Sequence, residues 1–303
     1  MTDLMCSAQT AALGEPMAGT ANGAQRWILA EVNLPWPKPI RSHPETAQID
    51  FEVLDRHSSR FLAIADSSSQ EGASRRVIVY ERGPSSVADP EAAASGTAGP
   101  MRGWQTQVDA AEVAHAVVAA ARAELEMDPI DAGVNDVLVC TQGSHDRCCG
   151  KFGTLLYTQL QAIADDNTRF WRASHLGGHR FAPTAITFPD GLCWGAIDLE
   201  FVFGALSRSL AIETAVAHLR GSVAIDDPAA QFADVAAAAR LGWDWLDSER
   251  SWTRTGDTVV FEGARTVTAT VAPGPVLPVP TCGQPLDQAR KTTQTRSLDH
   301  IGL

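Results

Sequence analysis

No stretch of the 303 residues is long and apolar enough to span a membrane. Before Arg26 the only positive charge is the α-amino group, so no signal peptide is expected. Leu4-Met5-Cys6 has no apolar stretch ahead of it, which argues against a lipoprotein site. Basic residues are the minority, 24 against 36 acidic, and a net charge of −12 argues against the basic footprint of a nucleic-acid binder. The six cysteines include no Cys-x-x-Cys, the spacing of thioredoxin-type redox chemistry. These absences point to a cytoplasmic protein, where clustered cysteines are ligands or redox thiols more often than structural disulfides.

What is present suits a globular chain, with 45% apolar and 20% charged residues. The length accommodates more than one core. Strands are predicted at 26–32, 60–65, 75–80 and 102–107, with a helix over 44–56. Asp109 and Glu112 have capping-box spacing for a helix that runs to about Met127. Residues 1–23 read as an irregular lead-in, with Cys6 a bystander thiol. Residues 67–72 read as a loop, and 83–100, poor in large apolar residues, as a mobile surface loop.

The order strand, helix, strand, strand, strand, helix then repeats. Val134–Val139 is a strand ending at Cys140. A helix from Cys149 or Gly150 places Phe152, Leu155, Leu156, Leu160 and Ile163 on one face. Strands at 170–173, 184–188 and 192–197 and a helix at 210–219 complete the second copy. A helix over 228–247, a hairpin at 258–271 and a Pro-rich tail follow, and Trp243, Trp245 and Trp252 read as packing residues. The predicted fold is α/β, with tandem thioredoxin-like domains over 1–127 and 128–222 and a C-terminal extension over 223–303.

Val137 to His179 holds the chemistry. It opens V-L-V-C-T-Q-G-S-H-D-R-C-C-G and closes S-H-L-G-G-H. Sulfur and imidazole gathered this way suit a metal or an iron–sulfur centre better than an acid–base triad. Cys140 ends a strand, and a loop containing Gly143 can curl to bring Cys149 beside it. Gly177 and Gly178 make a helix between His175 and His179 unfavourable and predict a tight loop that aims both rings inward. Cys140, Cys149, His175 and His179 are the candidate cofactor ligands. Cys148 is an alternative to Cys149, and His145 reads as a surface or neighbouring residue. Two cysteines and two histidines also suit tetrahedral zinc, although the cysteine pair is spaced more widely than in the usual structural site. On a [2Fe–2S] cluster they form the Rieske arrangement.

C-T-Q-G-S-H-D-R-C-C-G, S-H-L-G-G-H-R-F-A-P, F-P-D-G-L-C-W-G and the N-terminal C-S…E-P-M-A-G-T-A resemble the sucrase/ferredoxin-like family, a group of thioredoxin-like ferredoxins. The resemblance implies a bis-histidinyl [2Fe–2S] cluster on Cys140, Cys149, His175 and His179. Cys149 is favoured over Cys148 because it directly precedes Gly150, as in the family pattern. No carboxylate pair supports a glycosidase. The expected function is electron transfer or redox sensing by a carrier rather than an enzyme, served by a reductase and an electron acceptor, with neither nucleic acid nor membrane as partner. Thiol–disulfide exchange through Cys148 or Cys149, or a structural zinc, are the rival readings.

Overall fold

R-W-I-L-A-E, S-R-F-L-A-I-A and N-D-V-L-V-C are too short for stable helices and nearly continuous in apolar character, as strands covered on both faces must be. The computed structural model describes residues 4–66, 73–83, 94–165 and 167–303. The first half holds α1 (Cys6–Leu13), β1 (Arg26–Glu31), α2 (Phe51–Arg56), β2 (Ser59–Ala65), β3 (Ser74–Glu81), β4 (Ala94–Ala98), β5 (Arg102–Asp109) and α3 (Val113–Ala121). The second holds β6 (Asp128–Pro129), β7 (Asn135–Cys140), α4 (Thr154–Gln161), β8 (Thr168–Ala173), β9 (Thr184–Phe188), β10 (Leu192–Gly195), α5 (Leu199–Leu206), α6 (Ile212–His218) and β11 (Leu219–Ser222). Then come α7 (Pro228–Leu241), α8 (Trp243–Asp247), β12 (Arg250–Thr255), β13 (Thr258–Gly263), β14 (Val267–Pro278) and β15 (Thr292–Gly302). The class is α/β, and no helix among the described residues is long and apolar enough to cross a membrane.

The larger sheet runs β11-β10-β9-β7-β8-β2-β1-β3-β5-β6. Each half contributes a parallel pair, β1/β2 and β7/β8, then antiparallel partners β3 and β5, or β9 and β10. The repeated element order is thus a repeated strand order, β2-β1-β3-β5 and β8-β7-β9-β10. The halves join where β2 and β8 pair antiparallel at Ile64–Ala173, one residue before Ser174 and two before His175.

Alternation along the strands sorts their side chains into layers. Ile28, Ala30, Phe61, Ala63, Val77 and Val79 face outward onto α2 and α3. Val137, Val139, Phe170 and Ala185 face the second-half helices and the smaller sheet. The intervening Trp27, Leu29, Leu62, Ile78, Tyr80, Leu138, Trp171 and Ile186 share one inner core, so the inward faces of both halves meet. There the Tyr80 and Phe188 rings stack at 4.3 Å. Cys140 and Cys149 belong to this core.

Several elements differ from expectation. Residues 6–13 form a helix rather than an irregular lead-in: alanine and glutamine favour it, buried Cys6 and Thr10 anchor it, and Gly14 closes it at φ 63°. Ala94–Ala98 is not loop but an edge strand of the smaller sheet, β15-β14-β13-β12-β4, where its small residues fit against Trp252. The 67–72 loop, and residues 84–93 of the 83–100 loop, lie outside the described residues. Over 44–56 only Phe51–Arg56 is helical, capped by the Asp50 carboxylate, which accepts from the N–H groups of Glu52 and Val53. Asp109 makes no side-chain cap, and α3 ends before Ala123, at φ 58°, so Leu125 and Met127 lie beyond it. The helix after Cys149 begins with a π-turn over Cys149–Gly153. The wider turn shifts its phase, so Leu156, Tyr157 and Leu160 are buried while Leu155 is 60% exposed, and Ile163, 44% exposed, lies past the helix end at Gln161. The tail beyond Pro273 is ordered by the long β14/β15 pairing.

Candidate metal centre

β7 delivers Cys140 to the end of the larger sheet, fully buried. The chain then folds back through Thr141–Arg147, and two close backbone approaches hold the fold-back. A Cβ on Gly150 would lie 2.6 Å from the Gly143 Cα, and one on Gly153 would lie 1.9 Å from the Cys140 carbonyl oxygen. Only glycine lets the π-turn rest directly on the strand end. Gly153→Ala must therefore push the helix off Cys140, with an expected cost of about 1–3 kcal/mol. Urea unfolding of the variant measures it; a loss below that range would mean the turn yields freely.

β8 delivers the histidine loop beside it. The His175 N–H donates to the Gln142 side-chain oxygen at 2.9 Å, and the Gln142 amide donates to the Pro37 carbonyl at 2.7 Å. Gly177 and Gly178 adopt φ 88° and 68°, the tight loop their sequence predicts. Behind them, buried Arg220 donates to the Gly177 carbonyl at 3.0 Å and to the Cys193 sulfur at 3.4 Å. The result brings ligand atoms of Cys140, Cys149 and His175 within 4.8 Å of one another. The His175 Nδ1 is buried and has no hydrogen-bond partner among the described residues. His145 stacks on the His175 ring at 3.5 Å. His179 stands beside this group, its ring 6.0 Å from that of His175, and its Nδ1 lies 3.2 Å from the Asp146 carboxylate.

The sulfur of Cys148 belongs elsewhere. It lies 3.4 Å from the Cys6 sulfur and 3.2 Å from that of Cys282. With Asp146 these three thiols make a second cluster of potential ligands. Cys6 is therefore no bystander, and the Pro/Gly tail places Cys282 for the same group. Sequence spacing could not reveal this cluster, because Cys6 and Cys282 are separated by 276 positions. Cys193 is core, as its strand position implies.

The electrostatics of the two groups differ. A hydrogen bond from the Cys149 thiol, helped by His175, holds Cys140 well below the ordinary thiol range despite burial. The same bond, with burial, pushes Cys149 up, so the pair shares a proton that a bound metal would displace. Burial and the neighbouring His175 push the His145 imidazole down to about 4, so that ring stacks uncharged at neutral pH. Burial would raise the Asp146 carboxyl, but the hydrogen bond and charge of His179 outweigh it and hold it below the usual carboxylate range.

No curated protein and no solved structure matches the chain. A family model does match residues 17–221, the span that holds the first ligand group, His179, Cys148 and Asp146 but neither Cys6 nor Cys282. The Cys/His groups could bind metal, and by that match the chain belongs to the sucrase/ferredoxin-like family.

Proposed function

We propose that the chain is an electron-transfer or redox-sensing protein whose Cys140, Cys149, His175 and His179 hold one [2Fe–2S] cluster. The observation that carries this reading is the convergence of Cys140, Cys149 and His175, the last with its Nδ1 buried and without a hydrogen-bond partner among the described residues. Such a donor set fits the group: two thiolates and two imidazoles give one-electron chemistry at a potential above that of an all-thiolate site.

The chain's own residues do the positioning. Gln142 fixes the His175 backbone, and His145 covers one face of its ring. Asp146 is placed to accept a hydrogen bond from His179 Nδ1–H, which would leave Nε2 as the free ligand atom, the carboxylate–histidine pairing that orients metal-bound imidazoles. The inner core excludes water from Cys140 and Cys149. A reductase and an acceptor remain the expected partners.

Anaerobic purification followed by iron and sulfide analysis and low-temperature EPR tests the reading. A red-brown protein with two irons and two sulfides per chain, and a low average g when reduced, is the expected result. The midpoint potential should fall as pH rises, because an imidazole ligand couples reduction to proton uptake. A potential flat from neutral to strongly alkaline pH would overturn histidine ligation. A colourless protein that takes up zinc, but no iron and sulfide, at Cys140 and Cys149 would overturn the cluster itself.

A further inference from the structure

We propose that Cys6, Cys148 and Cys282, with the Oδ1 oxygen of Asp146, form a second and separate metal site that takes zinc. Three segments remote in sequence bring these atoms together: the start of α1, the loop before the π-turn, and the turn between β14 and β15. The sulfurs make a nearly equilateral triangle, 3.4 Å from Cys6 to Cys148, 3.4 Å from Cys6 to Cys282 and 3.2 Å from Cys148 to Cys282. Asp146 Oδ1 lies 3.7 Å from the Cys6 sulfur and 3.5 Å from that of Cys282, closing a four-cornered donor set. Cys6 and Cys148 are fully buried, Asp146 is nearly so, and Cys282 is half-buried.

The spacing matches one tetrahedral ion. Zinc–sulfur bonds of about 2.3 Å at tetrahedral angles separate neighbouring sulfurs by about 3.8 Å, so the triangle need open by only about half an ångström. A disulfide requires sulfurs about 2.0 Å apart and would leave the third thiol unpaired. Three thiolates and a carboxylate oxygen are a donor set for a single borderline-soft ion, and zinc imposes no geometry of its own on them.

The surroundings give the site a purpose. Its apolar jacket is small: Met5 and Ala182 with Phe152. The Gly283 N–H donates to the Leu4 carbonyl at 2.8 Å, and the Gln9 side chain donates to the Gln284 carbonyl at 3.1 Å. A metal here staples α1 and the β14–β15 turn to the loop that carries Cys149. Asp146 serves both groups, Oδ1 toward the thiols and Oδ2 toward His179. Adjacent Cys148 and Cys149 thus serve different centres.

Elemental analysis of the full chain and of Cys282→Ser tests the proposal. Cys282 is half-buried in a turn, so the variant should fold. The expected result is one zinc per wild-type chain and a loss of about tenfold or more in the variant, with iron unchanged. As a second measurement on the wild type alone, zinc should shield Cys6, Cys148 and Cys282 from N-ethylmaleimide, and a chelator should expose all three together. A wild-type chain that stays zinc-free after incubation with zinc overturns the site. So does zinc retained in Cys282→Ser, or a Cys148–Cys282 disulfide found by non-reducing mass mapping. A wild-type chain that holds zinc but takes up no iron and sulfide would strike the cluster reading and leave this one standing.

Discussion

Cys149→Ser should yield a folded but colourless protein, whereas Cys148→Ser, one residue away, should keep its colour and lose zinc. Serine nearly preserves volume, so neither change opens a large cavity. What changes is the donor, because a hydroxyl does not replace a thiolate toward soft metals. The Cys149 sulfur lies with Cys140 and His175, and the Cys148 sulfur with Cys6 and Cys282. Iron in Cys149→Ser should fall by more than about tenfold, and in Cys148→Ser should stay at the wild-type level. Visible absorption and metal analysis of the two variants side by side decide the matter. Iron lost from Cys148→Ser but kept by Cys149→Ser would reverse the assignment. His179→Cys adds a finer check. A third thiolate should lower the midpoint potential from the Rieske range toward that of plant-type ferredoxins, about 400 mV below zero.

Asp136→Ala should cost about 3–5 kcal/mol of stability. Asp136 is completely buried in β7 and accepts hydrogen bonds from the Tyr80 hydroxyl at 2.5 Å, Trp171 Nε1 at 2.6 Å, and Arg169 at 2.8 and 2.6 Å. Arg169 continues to Gln105 on β5 at 2.6 Å. One carboxylate therefore ties β7 and β8 of the second half to β3 and β5 of the first, across the inner core. Burial and the Asp136 charge push the Tyr80 phenol far above its ordinary value, so it remains a donor at any working pH. Without the carboxylate, two buried donors lose their partner and Arg169 loses its counter-charge. Urea unfolding measures the loss, a large share of the 5–15 kcal/mol typical of a domain. A change below about 1 kcal/mol would show that the network contributes little.

The meeting of Cys140, Cys149 and His175 was legible in the sequence because its geometry is local, whereas His179, expected with them, stands outside the group. A strand end, a glycine-bearing loop and a helix start fix Cys140 against Cys149, and two glycines fix the histidine loop. The strand runs were equally readable, since their apolar pattern is carried by adjacent residues. Elsewhere local signals failed for identifiable reasons. The π-turn starting at Cys149 shifts the helical phase, so Leu155 passes from an expected buried face to solvent, and the helix stops at Gln161, before Ile163. Ala94–Ala98 has the composition of a loop, and only the distant partner Arg250–Thr255 makes it a strand. Cys6 and Cys282 have no neighbours in sequence that mark them as ligands, and Asp146 reads as a turn former. Their meeting is set by tertiary packing alone.

The smaller sheet has a consequence for the order in which the chain assembles. Its edge strand β4 is made early in synthesis, but its partner β12 and the three strands beyond belong to the last part of the chain. Likewise α1 holds Cys6, and Cys282 is made 276 positions later. Both closures span long loops, whose entropy must be spent before any contact repays it, so they belong to the slow phase of folding. The β7–β8 segment with Cys140, Cys149 and His175 needs no such wait. During translation the Cys140, Cys149 and His175 group can form while β12–β15 are still unmade, and the thiol triangle can close only after Cys282 has emerged.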